Sequence, residues 1–166
     1  MSPSSADVFD SLAFRRALGR YATGVAIVAA YDQQGKPFGM TINSFASVSL
    51  EPPLILWSVE SGARMAPAYI DAPLFGLSVL AADQEPLARR FADPDLEPAQ
   101  RFDHVALDPA SDSAPLLAGS AAWFECRRDS VHPGGDHEII LGRVLRFGRR
   151  AGRTLLFHDG AFHPGA

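Results

Sequence analysis

Apolar and polar positions follow two periods along this chain, one helical and one strand-like. Phe14, Leu18 and Tyr21 recur at i, i+4 and i+7, which predicts a helix capped by Asp10 or Ser11 and closed by Gly24. The period then changes. VAIVAAY, residues 25–31, is rich in β-branched side chains and reads as a strand, DQQGKP reads as a turn, and the stretch from Gly39 returns to complete a hairpin. LILWSV (54–59) and LFGLSVL (74–80) read as buried strands, separated by a short helical segment around ARMAPAYI that contains Pro67. In ADQEPLARRFA, Asp83 is the expected N-cap, Pro86 falls in the tolerant first turn, and Leu87 and Phe91 share a face. Residues 93–115 read mostly as loop. AAWFEC, EIILGRVLRF and RTLLFH add three strands, divided by the turn HPGGD and by GRRAG.

Six or more strands with hairpin-length connections, and too few helices to alternate with them, argue for a mainly β fold. An antiparallel barrel or sandwich with a few flanking helices is expected. The length of 166 residues suits one domain, 1–166, with residues 1–8 as a flexible N-terminus. Composition is that of an ordinary globular protein, 47% hydrophobic and 20% charged, and a formal net charge of −4 offers nothing to a polyanion. Nucleic acid is therefore not expected as a partner. The single cysteine, Cys126, has no internal disulfide partner and reads as a small buried hydrophobe. MSPSSADVFD has neither the basic nor the apolar region of an export signal, so a cytoplasmic location is expected. The apolar runs are far shorter than the ~20 residues a bilayer span needs.

Chemistry concentrates in GMTINSFASVSLEPPLILWS, which begins at Gly39. A strand period puts Met40, Ile42, Ala46, Val48 and Leu50 on one face and Thr41, Asn43, Ser47 and Ser49 on the other, with Ser44 and Phe45 breaking the pattern. A solvated outer face is one reading. A ligand face is the other, because no ionisable residue occurs between Lys36 and Glu51, and uncharged hydroxyl and amide groups suit a phosphate that carboxylates would repel. Familiar nucleotide motifs do not account for it: there is no G-x-G-x-x-G, and GRYATGV lacks the Lys-Ser/Thr ending of a P-loop. His132 with His137, and His158 with His163, are each five residues apart, which is not the H-E-x-x-H spacing, so no metal site is expected. No G-x-S-x-G elbow is present. Arg89 and Arg90 suit the C-terminal end of a helix, where cations complement the macrodipole.

Five segments, FRRALGRYATGVAIVAA, GMTINSFASVSLEPPLIL, FGLSVLAADQEPLARRFA, GGDHEIILGRV and LLFHDGAF, occur in this order between Phe14 and Phe162. Together they resemble the flavin reductase-like family of FMN-binding split-barrel proteins, which includes the reductase components of two-component flavin monooxygenases. The resemblance implies a homodimer of six-stranded split β-barrels with flavin near the subunit interface. It puts flavin contacts on Pro37, Phe38, Gly39, Met40, Thr41, Asn43 and Ser44, then on Ser58, Val59 and Glu60, on Arg64 and Met65, and on Arg90 and Phe91. The nicotinamide side is implied at His137 of the GDH motif and at Leu155, Leu156, Phe157 and His158. Where many relatives have small hydroxyl residues, Ala63 and Met65 here flank Arg64, so phosphate binding would rest on Arg64 and backbone N–H groups. Many relatives also carry a Trp where Leu107 stands here.

The implied activity is hydride transfer from NADH or NADPH to FMN or FAD, supplying reduced flavin to a partner monooxygenase. His137 would orient nicotinamide or lie over the flavin; alternatively it is a turn histidine satisfied by Asp136. Two rival readings are a non-catalytic FMN-binding flavoprotein and an FMN-dependent oxidase of the pyridoxamine-phosphate oxidase type.

Overall fold

The computed structural model describes residues 9–109, 111 and 113–165, so the expectation for residues 1–8 lies outside the described residues. Helix α1, Ser11–Gly19, is capped by Asp10, whose Oδ1 accepts from the N–H groups of Leu12 and Ala13 at 2.9 and 3.0 Å. It ends at Gly19, five residues before the expected Gly24, because Thr23–Gly24 is drawn into a short strand, β1. The periodic apolar residues are present, but Phe14, Leu18 and Tyr21 all remain exposed.

Strands β2 (Ala26–Tyr31) and β3 (Pro37–Ile42) form the expected hairpin. Its turn is set by Asp32, whose Oδ1 accepts from the N–H groups of Gln34 and Lys36, both at 2.8 Å. The stretch after Gly39 is not one strand. β3 stops at Ile42, and β4 (Ala46–Leu50) begins only after Asn43, Ser44 and Phe45. β5 (Pro53–Glu60), α2 (Ala66–Asp71), β6 (Leu74–Val79) and α3 (Glu85–Ala92) follow. After the loop come two long strands, β7 (Ala122–Gly134) and β8 (His137–Arg149), and two short ones, β9 (Leu155–His158) and β10 (Ala161–Pro164). Among the described residues no helix is long and apolar enough to cross a membrane.

The main sheet is antiparallel, has seven strands in the order β3-β2-β6-β7-β8-β5-β4, and is accompanied by a three-stranded sheet β1-β9-β10. This corrects the expected six-stranded barrel in two respects. Breaking the stretch after Ile42 makes β4 a separate strand, and RTLLFH leaves the main sheet to pair with β1 and β10. The expectation that Thr41 and Asn43 share a strand face with Ser47 and Ser49 is therefore corrected: the two pairs lie at opposite edges of the sheet.

That edge-to-edge placement has a geometric consequence. Seven strands about 4.8 Å apart would put the edges of a flat sheet about 29 Å apart, whereas the link through Asn43, Ser44 and Phe45 spans at most about 15 Å. The sheet must roll. β3 and β4 do not pair with each other, so the roll stays open along that seam.

Two hydrophobic cores result, one on each side of β2. Ala26, Val28 and Ala30 face inward with Phe38, Trp57, Phe75 and Ile140, while Ile27 and Ala29 face outward with Leu80, Phe91, Phe102 and Leu155. Trp57, fully buried, lies edge-on to Tyr69 and Phe75, with ring centroids 5.4 and 5.8 Å away. Cys126 is buried in the inner core, as expected, and burial with Glu125 beside it pushes its thiol up to about 12. The two sheets meet in a ring of backbone bonds: Leu80 N–H donates to Val25 C=O (2.9 Å), Val25 N–H to Leu155 C=O (3.2 Å), and Leu155 N–H to Leu80 C=O (2.9 Å).

Helix α3 starts one residue later than Asp83 would cap it. Gln84 occupies the cap position, but its side chain accepts from Ala81 N–H at 3.0 Å and donates to Ala118 C=O at 2.9 Å, tying the helix start to the loop. Pro86 sits in the first turn, and Phe91 is fully buried against the outer core. The turn HPGGD is tighter than expected: His132 and Pro133 remain in β7, and Gly135 with Asp136 makes the connection.

Gly76 on β6 is where the long loop presses the sheet, since a Cβ there would lie 2.6 Å from the Pro115 carbonyl oxygen and 2.7 Å from Leu116 Cδ2. Gly76→Ala is expected to lower unfolding stability by about 1–3 kcal/mol through overpacking against backbone, measured by urea denaturation. An unchanged midpoint would show that the loop yields.

Candidate active site

The seam between β3 and β4 opens beside two adjoining hollows. The larger, about 490 Å³, is lined by Met40 and Thr41 of β3, Glu60, Ala63, Arg64 and Met65 after β5, Tyr69 of α2, Phe91 and Ala92 of α3, and Pro94, Pro98 and Arg101 of the following loop. The smaller, about 210 Å³, is lined by Val25, Thr41, Ile42, Asn43, Ala92, Phe157 and Phe162. Thr41 and Ala92 belong to both, so the two adjoin and make one cleft along the free edge of β3.

Of the residues named from the sequence, the structure brings Met40, Thr41, Asn43, Glu60, Arg64, Met65, Phe91 and Phe157 to this cleft. Thr41 gives its hydroxyl proton to Ala88 C=O at 2.6 Å, which clamps β3 to α3. Ser44 is turned toward β5: its Oγ accepts from Ser58 N–H at 3.0 Å and donates to Ser58 C=O at 3.3 Å. This pair pins the break in the chain beside β5. Gly39 lies under the Phe91–Phe102 ring pair, where a Cβ would come within 3.2 Å of Phe91 and 3.0 Å of Phe102.

Others are placed elsewhere. Phe38 and Val59 point into the inner core, Leu155 belongs to the outer core, and Pro37 stands at the hairpin end of β3. Leu156 alternates to the opposite side of β9 from Leu155 and Phe157, as does His158, whose ring lies 6.2 Å from that of His163. The Arg90 guanidinium braces the loop, donating from Nε to Arg101 C=O at 2.7 Å and from Nη2 to Gln100 C=O. His137 lies in neither hollow. It stands across the β5–β8 ladder from Glu60, with Nδ1 2.7 Å from Asp136 Oδ1.

Several cleft residues were not anticipated from the sequence. Arg101 donates from Nη1 to Gly39 C=O (3.0 Å) and from Nη2 to Asp93 C=O (2.8 Å), while its buried Nε has no partner among the described residues. The available signal was an arginine alone in the acidic, proline-rich run DPDLEPAQRF. Tyr69, mostly buried, has its phenol held above its ordinary value by burial, with Arg101 acting in the opposite direction. Phe162 meets Phe157 at 5.3 Å between ring centroids and carries the Arg89 guanidinium 5.1 Å from its own.

Two guanidinium groups at one end, an aromatic pair at the other and a total volume within the usual range of ligand pockets suit a flat aromatic molecule bearing phosphate. The orphaned Nε of Arg101 fits that chemistry. Among the described residues no group of three or more His, Cys, Asp or Glu is arranged to hold a metal ion.

The family model of the flavin reductase like domain matches residues 18–166. The chain is 45% identical over 153 residues to the FMN reductase (NADH) SmoA of Agrobacterium fabrum (strain C58 / ATCC 33970), covering 92% of this chain and 85% of that protein. It is 37% identical over 161 residues to the flavin-dependent monooxygenase reductase subunit HsaB of Rhodococcus jostii (strain RHA1), covering 95% and 80%. The solved structure of the Streptomyces globisporus C-1027 NADH:FAD oxidoreductase SgcE6, in complex with NAD and FAD fragments, matches with a TM-score of 0.87 at 40% identity over 99% of this chain and 98% of that one. Two Rhizobium meliloti relatives are longer, this chain spanning 45% and 60% of them. The chain belongs to the flavin reductase-like family.

The His137–Asp136 pair makes a pH-dependent signature. The hydrogen bond from His137, and then its charge, hold the Asp136 carboxyl below the usual carboxylate range. A depressed carboxyl contributes stability above its unfolded value of about 3.9, and that contribution is lost as pH falls through the lower folded value. NMR titration of the Asp136 carboxyl carbon is expected to give a midpoint below the ordinary value, returning to about 3.9 in His137→Ala. The same midpoint in both proteins would mean that the pair does not persist in solution.

Proposed function

We propose that this protein is an NAD(P)H:flavin oxidoreductase that passes a hydride from NADH or NADPH to FMN or FAD and supplies reduced flavin to a partner monooxygenase. The observation that carries the reading is the continuous cleft at the open seam of the rolled sheet, with Arg64 and Arg101 at one end and Phe157 and Phe162 at the other. The names of SmoA and SgcE6 favour NADH as donor, and HsaB favours a monooxygenase as recipient. The rolled, unclosed sheet is read as the family's split barrel.

The chemistry supplied by the bound pair is hydride transfer from nicotinamide C4 to flavin N5. Arg64 and Arg101 would hold phosphate, and the backbone of Met40 to Ser44, with the Asn43 amide, would meet the edge of the flavin ring. Phe157 and Phe162 offer an apolar wall against which stacked rings exclude water. Ser44 acts through its bonds to Ser58, which fix the bend that presents Asn43. His137, near Glu60 at the rim, is assigned to orienting the nicotinamide, since hydride transfer needs no simultaneous proton.

A homodimer belongs to the same reading. It is supported by an apolar groove of about 410 Å³ along β4, β5 and β8, where Leu50, Leu145 and Phe147 are exposed. A cytoplasmic location fits an unpaired, buried cysteine.

Anaerobic oxidation of NADH and NADPH, measured with FMN, FAD and riboflavin in turn, tests the reading. Turnover with NADH and at least one flavin is expected, and none in any combination would sink it in favour of a flavin-holding module or an oxidase. Asn43→Ala, an exposed change, is expected to weaken flavin binding about tenfold with thermal stability unchanged, as loss of one ligand hydrogen bond implies. Unaltered affinity would remove Asn43 from the site.

A further inference from the structure

Arg64 is paired. Its Nη1 donates to Glu97 Oε1 at 3.0 Å, and both side chains are more than half exposed, at 62% and 64%. Arg64 lines the large cleft, and so do Pro94 and Pro98, which stand on either side of Glu97 in the chain. The ion pair therefore bridges the mouth of the cleft from the turn after β5 to the loop after α3.

The Glu97 backbone is anchored independently of its carboxylate. Its N–H donates to Gln100 Oε1 at 3.1 Å, and its C=O accepts from Arg101 N–H at 3.3 Å. The carboxylate is thus not needed to shape the loop. The second cleft arginine differs in kind, since Arg101 directs its Nη donors to two neutral backbone carbonyls. Arg64 alone of the two is matched to a negative charge.

We propose that Glu97 is an internal stand-in for a nucleotide phosphate, occupying Arg64 while the cleft is empty and opposing any anion that takes its place. This rests on the function proposed above. A phosphate reaching Arg64 meets the Glu97 carboxylate a hydrogen-bond length from the same guanidinium, so the carboxylate must swing into solvent or remain as an adjacent like charge. Either way anion affinity is lower than Arg64 by itself would give, and the exposed position keeps the effect modest and salt-dependent. Glu97 then tunes the cleft toward releasing a phosphorylated ligand instead of retaining it. An uncharged analogue without phosphate does not sense the carboxylate at all.

Glu97→Gln tests this, because glutamine keeps a hydrogen bond to Arg64 and removes only the charge. Dissociation constants for FMN and riboflavin are measured by flavin fluorescence quenching. Those for NADH and reduced nicotinamide riboside are measured by nicotinamide fluorescence without flavin. Wild type, Glu97→Gln, Arg64→Gln and the double variant are compared. The expected result is FMN binding tightened about three- to tenfold in Glu97→Gln, riboflavin unchanged, the gain shrinking in high salt and absent when Arg64 is also replaced. The same gain for NADH alone, with the riboside unchanged, also upholds the stand-in and assigns the phosphate to the nicotinamide nucleotide. Unchanged or weaker binding of both FMN and NADH overturns the proposal and makes Glu97 a support for Arg64. An equal gain for riboflavin overturns it too, since the effect would not be one of charge. Wild-type protein that binds no flavin at all refutes the proposed function itself, a distinct outcome from binding that ignores Glu97.

Discussion

The three-residue link between β3 and β4 constrains everything else in this fold. It joins the two edges of a seven-stranded sheet, and no flat sheet allows so short a connection. Rolling encloses one core within the curve and leaves the outer face of β2 to be covered by the second core. The link is also where the edges fail to pair, so backbone and side chains of Asn43 and its neighbours are presented at an open seam. Ser44 holds that seam in place by satisfying both backbone groups of Ser58, which β4 no longer reaches. Fold closure and ligand access thus meet at one short segment.

How much of this was legible follows from how local each signal is. The β2–β3 hairpin was readable because Asp32 and Gly35 write the turn beside the strands they join. The Asp10 cap was readable for the same reason. The break after Ile42 was only half visible: Ser44 and Phe45 interrupt the alternation, but nothing adjacent says that the next strand pairs at the far edge. RTLLFH reads like any buried strand, and its departure to a second sheet depends on β1 and β10, too short to announce themselves. The apolar stripe of α1 was correctly seen as a stripe, but periodicity does not reveal that the described residues leave it uncovered.

The site shows the same division. Uncharged polar residues around Thr41 and Asn43 pointed to a ligand face, and the cleft lies there. Arg101 was missed because an arginine in a loop carries no period, and its place depends on reaching Gly39 across 62 residues of chain. Arg90, promoted from a helix-end charge to a contact residue by resemblance, turns instead to carbonyls of the loop. Phe38 and Val59 face the inner core; Phe38 shares its strand face with Met40, so which of the two reaches the cleft depends on position along β3, which the strand period does not give.

The ring of backbone bonds among Val25, Leu80 and Leu155 gives the cleft two unlike sides. Through it, β9 and Phe157 are tied directly to the main sheet, so that side behaves as the fixed jaw of a vice. The opposite jaw is the loop from Asp93 to Arg101, held by side chains: Arg90 and Arg101 to carbonyls, and Glu97 to Arg64. A side-chain tether can be exchanged without moving the backbone, whereas a main-chain bond cannot. Under the proposed function, a ligand would therefore meet a loop tethered by side chains at its phosphate end and a strand tethered by main-chain bonds at its ring end.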